Sequence, residues 1–246
     1  MKIIISPAKK MKIDTDSFAV QTQPVFLEDT KRLLAYLQTL SLEQLQDLWQ
    51  CSQKLAQANY LNVMHCQLTK NQTPALFAYV GIQYQSMGPD VFTKAQLDYV
   101  KKHLRILSGF YGLLRPFDGI VPYRLEMQAK IDYLGYQSLY AFWAKKLYQQ
   151  LFIKERQVLN LASSEYAKAI SPYVKKEQQF VTCLFGELKN GKLKQKATAL
   201  KLARGQMVQF LARKQITDLK QVKTFNELGY RYLEDFSTVN TYVFAK

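Results

Sequence analysis

Ser6 and Lys9 are the first residues of the chain whose spacing could support catalysis. They lie in KIIISPAKKMK, residues 2–12. In acyl enzymes with a Ser-x-x-Lys motif, the serine opens a helix, and the lysine one turn later can deprotonate its hydroxyl. Here a β-branched run and Pro7 predict the end of a strand rather than the start of a helix. Two interpretations stay open: Lys9 is a base beside a nucleophile, or Lys9 and Lys10 begin a basic surface.

The segment RILSGFYGLLRPFDGIVPYRLEM, residues 105–127, concentrates glycines, prolines and arginines. Glycines permit a positive φ or a close approach of two backbones, and the amides they free can form an anion-binding nest. The pattern 107–112 (LSGFYG) loosely matches a helix-hairpin-helix, whose backbone N–H groups bind DNA phosphates without reading bases. The alternative is a tight structural turn in which the arginines pair with Asp118 and Glu126.

Two tyrosines and two carboxylates near this segment add further candidates. Tyr111 and Tyr123 could stack on unpaired bases, although abundant aromatic residues usually form core. Glu126 could form an acid–base pair with Glu165, which follows a predicted strand-to-helix junction in 160–166 (NLASSEY). If the protein is an enzyme, the candidate catalytic residues are Ser6, Lys9, Glu126 and Glu165.

The charge balance favours a polyanionic partner. Lys and Arg total 34 against 19 Asp and Glu, which gives a formal net charge of +15. A second basic stretch, 183–223, contains Lys192, Lys194 and Lys196, which would share one face of a hairpin strand. That row either follows a phosphate backbone or protects an exposed sheet edge against aggregation.

The composition also limits the cofactors and the compartment. Two histidines and three widely spaced cysteines predict no protein-built metal site, no cofactor and no disulfide framework. No stretch reaches the roughly 20 apolar residues of a membrane span, and the start of the chain does not resemble a signal peptide. We therefore expect a cytoplasmic protein without a membrane partner.

The hydrophobic pattern predicts an α+β, or mixed α/β, fold in one domain that covers residues 1–246. Apolar runs at 2–6 and 157–162 predict buried strands, and Asn190-Gly191 predicts a type I′ hairpin. Ser41-x-x-Gln44 and Thr93-x-x-Gln96 predict capping boxes at helix starts. We expect two helices in 27–59, a strand or bent strand pair in 74–84, single helices in 134–152, 204–215 and 217–228, and a strand pair near 230–232 and 242–244.

Four blocks together resemble the YaaA family of bacterial peroxide-stress proteins. They are ISPAKKM (5–11), the segment 105–127, NLASSEY (160–166) and KLARGQM (201–207). The blocks span nearly the whole chain in the order found in the family. One departure is visible: the family commonly has an acidic residue after the glycine of a Gly-Asp-Val-Tyr block, whereas this chain has Gly81-Ile82-Gln83-Tyr84.

The resemblance implies a mixed β-sheet with flanking helices, a basic cleft and a helix-hairpin-helix-like element that binds duplex or branched DNA. It also implies a protein that limits peroxide- and iron-dependent DNA damage. Transferred to this sequence, with neighbouring residues added by our own inference, the candidate DNA-binding residues are Lys9, Lys10, Arg105, Ser108, Gly109, Tyr111, Gly112, Arg115, Tyr123, Arg124, Lys201 and Arg204.

Two functional hypotheses follow from the sequence. The first and favoured one is a DNA-binding protein that contacts phosphates without sequence preference in the peroxide stress response. The second is an enzyme that acts on a nucleic acid or a nucleotide phosphate in the same cleft.

Overall fold

The computed structural model describes residues 1–246, and a mixed β-sheet lies at its centre. The strands are β1 (Lys2–Ile5), β2 (Lys10–Met11), β3 (Thr73–Pro74), β4 (Tyr79–Val80), β5 (Leu104–Ser108), β6 (Gly112–Leu114), β7 (Gly119–Ile120), β8 (Gln157–Asn160), β9 (Gln179–Lys189), β10 (Lys192–Lys194), β11 (Arg231–Tyr232) and β12 (Thr241–Ala245).

Eleven helices accompany these strands. They are α1 (Leu27–Gln38), α2 (Leu42–Trp49), α3 (Gln53–Met64), α4 (Ala75–Ala78), α5 (Ile82–Met87), α6 (Lys94–His103), α7 (Leu139–Trp143), α8 (Lys146–Phe152), α9 (Ser164–Ala167), α10 (Ala197–Lys214) and α11 (Leu219–Val222). No helix has the length and apolar character needed to cross a membrane.

The main sheet has the strand order β11-β12-β9-β8-β1-β5-β6, and β10 pairs separately with β9. The five central strands are parallel to one another, whereas β11 and β6 run antiparallel at the two ends. The predicted class, a mixed sheet with flanking helices, is thus confirmed. One core of 66 buried residues extends from Met1 to Phe244, which explains why β1 reads as a continuous apolar run.

The order of the strands creates a crevice beside β1. The chain leaves β1 for its neighbour β5 on one side, and it later leaves β8 for β9 on the other side. Neighbouring parallel strands whose connections lead away in opposite directions form a topological switch point. Ligands in such sheets bind outside the carboxyl ends of these strands, so the residues after β1 and β8 become the first place to search for a site.

Several local predictions are confirmed. Ser41 and Thr93 cap α2 and α6 in reciprocal capping boxes with Gln44 and Gln96. Asn190 and Gly191 have φ angles of 51° and 71° and join β9 to β10 in an antiparallel hairpin, as a type I′ turn requires.

Other boundaries differ from the prediction. The buried segment 73–80 contains the helical turn α4 between two short strands, because an apolar run that is buried on all sides has no period to read. Three helices occupy 27–64, since Gln50 takes a left-handed conformation with φ 46° and ends α2. Ala144, with φ 41°, likewise separates α7 from α8. The helix predicted at 204–215 begins earlier, at Ala197, and the one predicted at 217–228 is only the short α11.

The prediction of a helix-hairpin-helix-like element at 107–112 is wrong. Residues 104–108 and 112–114 are the antiparallel strands β5 and β6, and a tight turn joins them. The Ser108 hydroxyl accepts hydrogen bonds from the amides of Phe110 (3.1 Å) and Tyr111 (2.8 Å). The amides of Phe110 and Tyr111 are therefore already used inside the fold.

Candidate functional site

A cleft of about 530 Å³ opens at the carboxyl ends of β1 and β8, at the switch point. Its lining contains Ser6, Lys9, Lys10, Gln83, Tyr84, Tyr123, Arg124, Glu126, Ser163, Glu165, Tyr166, Lys201 and Arg204. All four blocks of the sequence resemblance meet here, although 195 residues separate Lys9 from Arg204 along the chain. The volume lies within the range of small-ligand pockets, about 300–1,000 Å³.

The floor of the cleft is formed by the two serines that follow the adjacent strands. The Ser6 Oγ accepts a hydrogen bond from the backbone amide of Ser163 at 2.8 Å, and it donates to the Ser163 Oγ at 3.3 Å. The Tyr84 hydroxyl donates to the Ser6 carbonyl at 3.0 Å. These bonds hold the two loops together, and they direct the Ser6 hydroxyl toward Ser163.

Lys9 does not serve as a base for Ser6 in this arrangement. No helix follows Ser6, and the Lys9 Nζ lies 3.1 Å from the Glu126 Oε1 as an ion pair. Lys10 pairs in β2 with Val80 of β4, which fixes the lysine loop against the Gly81–Tyr84 wall. Of the two interpretations of the opening segment, the geometry thus favours a basic wall over an acyl-transfer pair.

Gly109 positions the wall that carries Arg124 and Glu126. A Cβ on Gly109 would lie 2.4 Å from the Leu125 carbonyl oxygen and 2.9 Å from the Glu126 carbonyl carbon. The backbone at 125–126 therefore rests directly on the β5–β6 turn, and only glycine permits that approach. The glycine that suggested a phosphate nest acts indirectly, by placing two side chains in the cleft.

Tyr111 and Tyr123 extend this support. The Tyr111 hydroxyl accepts from the Val121 amide at 3.1 Å, and the Tyr123 hydroxyl bonds with both Ser108 (2.7 Å) and Tyr79 (2.8 Å). Burial raises the pKa of Tyr123 to about 12, so its hydroxyl stays neutral. Tyr123 lines the cleft, whereas Tyr111 is fully buried and cannot stack on a base.

The remaining predicted DNA-binding residues fall into two groups. Ser108, Gly109 and Gly112 are buried like Tyr111, which corrects their assignment as direct contacts and leaves them as structural residues. Arg105 and Arg115 are partly exposed but line a separate cavity of about 230 Å³ near the amino ends of the parallel strands. The cleft therefore brings together Lys9, Lys10, Tyr123, Arg124, Lys201 and Arg204.

Lys201 and Arg204 come from α10, three residues apart on one face of that helix. Gly205 brings α10 into contact with α5, since a Cβ there would lie 2.2 Å from the Gln83 carbonyl oxygen. Burial lowers the pKa of Arg204, yet no acidic side chain pairs with it. The fold thus holds an unneutralised guanidinium beside the cleft.

Glu165 supplies a carboxyl group with altered acidity. Burial and the negative charge of Glu126 raise the pKa of Glu165 above the usual 4.5. The amide of Gln128, which donates to the Glu165 Oε1 at 3.2 Å, lowers this pKa but does not cancel the increase. Glu126 and Glu165 are thus close enough to influence each other. No three His, Cys, Asp or Glu side chains converge in a way that could hold a metal ion.

The site includes residues that sequence reasoning did not assign. Gln83, Tyr84 and Tyr166 line the cleft, and all three are largely buried. Gln83 and Tyr84 belong to the block that departs from the resemblance, and Tyr166 ends NLASSEY. What could have identified these three residues in the sequence is their position in segments compared with the family, rather than their residue type or local spacing.

Known proteins match this chain over nearly its full length. The family described as peroxide stress protein YaaA matches residues 1–236. The chain belongs to the YaaA family. A UPF0246 protein of Pediococcus pentosaceus is 53% identical over 246 residues, which cover 100% of this chain and 98% of that protein. A UPF0246 protein of Lactiplantibacillus plantarum is 52% identical, covering 99% and 98%. One of Ligilactobacillus salivarius is 48% identical, covering 100% of both.

Membership of the YaaA family confirms the resemblance found in the sequence. It assigns the chain to a family of peroxide stress proteins, and the four blocks that carried the resemblance are those that build the cleft. The departure at Ile82 also lies in the cleft wall. In this YaaA-family chain, an apolar side chain thus lines the cleft at that position.

Proposed function

We propose that the protein binds DNA, duplex or branched, through phosphate contacts in the cleft as part of the peroxide stress response. Binding without sequence preference would shield the DNA or hold it for repair, and would limit peroxide- and iron-dependent damage. The observation that carries the proposal is the unpaired Nε–H of both Arg124 and Arg204 at the cleft. Buried polar groups without a partner are rare, and an oxyanion would satisfy both.

The charge of the cleft supports the same proposal. Five cations line it, Lys9, Lys10, Arg124, Lys201 and Arg204, against the two carboxylates Glu126 and Glu165. Low-dielectric walls lined mainly by one sign of charge concentrate the opposite ion. The net charge of +15 adds long-range attraction for nucleic acid.

Fluorescence anisotropy over a salt series tests this proposal. The probes are labelled duplex, branched and single-stranded DNA, and the variant is Arg124→Ala/Arg204→Ala. Each phosphate contact contributes about 0.9 to the slope of log K against log salt, so we expect the double variant to lose about two units of slope and most of its affinity.

The control is Arg156→Ala/Arg231→Ala, which removes two exposed arginines outside the cleft and leaves the net charge equal to that of the test variant. We expect it to retain nearly the wild-type slope. Equal losses in both variants would mean that DNA responds only to overall charge, and would contradict a phosphate site in the cleft.

An enzyme that hydrolyses a nucleotide or nucleic-acid phosphate ester is the second candidate. The observation that favours it is Glu165, a carboxyl group with a raised pKa that lines the cleft with Ser6, as a general acid would require. Incubation of the protein with labelled DNA and with nucleotides, followed by separation of the products, tests this. Product formation by the wild type that Glu165→Gln abolishes, with binding retained, would support the enzyme.

A further inference from the structure

The cleft collects most of the unsatisfied polar atoms of the protein. Five buried side-chain nitrogen or oxygen atoms lack a hydrogen-bond partner, and four of them belong to cleft residues. The four are Gln83 Nε2, Arg124 Nε, Arg204 Nε and Glu126 Oε1. Such atoms destabilise a folded protein unless something compensates them. Their concentration in one cleft points to a polar ligand there.

These atoms define the chemistry of that ligand. Three are N–H donors, and the two from guanidinium groups suit the oxygens of a phosphate. The fourth, Glu126 Oε1, is a carboxylate oxygen that would repel a phosphate and accepts N–H or O–H groups. It lies 3.1 Å from the Lys9 Nζ and 3.4 Å from an Arg124 Nη, as ion pairs without hydrogen-bond geometry. The ligand therefore carries an anion at one end and a hydrogen-bond donor at another.

Aromatic and aliphatic side chains also line the cleft. Tyr84, Tyr123 and Tyr166 line the cleft together with Val80 and Ile82. Tyrosine and branched aliphatic side chains are suitable surfaces for the face of a nucleobase. A phosphate, a flat apolar face and an N–H or O–H edge occur together in a nucleotide.

The size of the cleft decides between one nucleotide and a double helix. A volume of about 530 Å³ accommodates one small ligand. It does not enclose a duplex, in which every base pair contains two nucleotides and stacks on the next pair. A duplex would lie across the mouth, where Lys9, Lys10 and Lys201 are exposed, and could direct a backbone phosphate toward Arg124 and Arg204. Its paired bases could not reach Glu126, whose side chain is only 12% exposed.

We propose that the cleft binds one unpaired nucleotide, either free or at an unpaired position in a DNA strand. The phosphate lies against Arg124 and Arg204, and an N–H or O–H of the base or sugar donates to Glu126. For a nucleotide within a DNA strand, this inference rests on the proposed DNA binding. It adds that the cleft recognises a single unstacked nucleotide. An unpaired base enters most readily because no base pair has to be opened first.

Binding measurements with three matched probes test the inference. They are a paired duplex, the same duplex with a one-nucleotide bulge, and free deoxynucleoside monophosphates. We expect the bulged duplex to bind at least tenfold more tightly than the paired one. Glu126→Ala should abolish that preference, because the acceptor for the base or sugar is removed, so the bulged and the paired duplex should then bind with equal affinity.

Glu177→Ala is the matched control, because it removes an exposed carboxylate outside the cleft and changes the net charge equally. It should retain the preference for the bulge. If Glu126→Ala fails to fold, Glu126→Gln replaces it, and a reduced preference is then expected because the amide oxygen is a weaker acceptor than a carboxylate.

The outcomes separate this inference from the proposed function. Equal affinity for bulged and paired duplex, with both lost in Arg124→Ala/Arg204→Ala, would overturn the single-nucleotide site and support phosphate binding. Binding of a free monophosphate without any DNA binding would support the site and overturn DNA as its source. Binding of none of the three probes, even at low salt, would overturn both.

Discussion

The two ends of the central sheet each carry a basic cavity, and the two differ in how their charges are partnered. At the carboxyl ends, the cleft contains Arg124 and Arg204 with unpaired Nε–H groups. Near the amino ends, the cavity of about 230 Å³ contains Lys2, Arg105 and Arg115. Sequence composition alone would rank them equally, because both are rich in arginine and lysine.

The amino-end cations are satisfied by the protein itself. Glu155 pairs with both the N-terminal amine and Lys2, each at 3.1 Å. Arg115 pairs with the fully buried Asp118 at 2.9 Å, and Arg105 donates to the Leu104 carbonyl at 2.6 Å. The comparison teaches that an unpartnered donor, more than a positive charge, distinguishes a candidate ligand site from a structural ion pair.

Asp118→Ala gives the largest expected effect and tests the structural role of the amino end. The Asp118 carboxylate accepts from the Thr22 hydroxyl (2.6 Å), the Arg115 amide (2.7 Å) and the Arg115 Nε (2.9 Å). Its loss leaves these donors without an acceptor, so we expect the free energy of unfolding to fall by about 3 kcal/mol. Urea denaturation measures this change.

Arg204→Met is the counterpart in the cleft. Methionine keeps much of the aliphatic volume and removes a guanidinium that burial penalises and no acid balances. We expect urea denaturation to show unchanged or increased stability together with weaker DNA binding. A loss of stability comparable to that of Asp118→Ala would mean that Arg204 has a structural role. The two cavities would then not differ in how their cations are partnered.

Gly205→Ala should have the next largest effect. The added methyl group would meet the Gln83 carbonyl oxygen and the Met87 amide on α5. Overpacking of this kind costs about 1–3 kcal/mol, and here it would also move Arg204 away from the cleft. We expect lower stability in urea and weaker DNA binding; wild-type binding would show that the close contact of α5 and α10 does not position the arginine.

Single substitutions in the two cavities sharpen the comparison further. Lys201→Ala should reduce the salt slope of DNA binding by about one unit, since each phosphate contact contributes about 0.9. Arg105→Ala removes the same charge near the other end of the sheet and should leave the slope unchanged. A larger reduction from Arg105→Ala than from Lys201→Ala would place the phosphate contacts in the cavity near the amino ends and contradict the assignment to the cleft.

The smallest expected effect is a pH dependence from Glu165. Its raised pKa means that the folded state holds this proton more tightly than the unfolded chain does. The resulting stability is fully present below pH 4.5 and is lost as the pH rises through the raised pKa. The same ionisation places a negative charge in the cleft, so DNA binding should strengthen a few-fold as the pH falls through the raised pKa of Glu165.

Glu165→Gln is the variant that checks this assignment. The amide does not ionise, so the variant should bind DNA with a flatter pH profile and, at neutral pH, unfold at a higher urea concentration than the wild type. Parallel profiles for the two proteins would assign the pH dependence to another group.

Local chemistry made some elements readable from the sequence. Capping boxes at Ser41 and Thr93, the Asn190-Gly191 turn and the apolar β1 depend on residues within a few positions of each other. The mixed α/β class followed from their order. Helix breaks at Gln50 and Ala144 were not readable, because a positive φ is uncommon at glutamine and alanine and neither residue type predicts it.

The central segment 105–127 shows where local reading fails. Its glycines suggested an anion-binding nest. In the structure, Gly109 instead lets the backbone of residues 125–126 pack directly against it, and Gly112, with φ 74°, lies against Trp143. Both contacts are with residues distant in sequence. The same glycine pattern is compatible with a nest and with a close backbone approach, and only the neighbours decide between them.

The sequence by itself determined that this protein is basic, belongs by its four blocks to the YaaA family and carries arginines and carboxylates able to bind a phosphate ligand. Only the tertiary structure decided which of them act together. Pairing depends on distances in space, so Arg115 is matched with Asp118 while Arg124 and Arg204 keep free donors. The parallel order of β5, β1 and β8 places those free donors at one switch point, because the strands end there side by side.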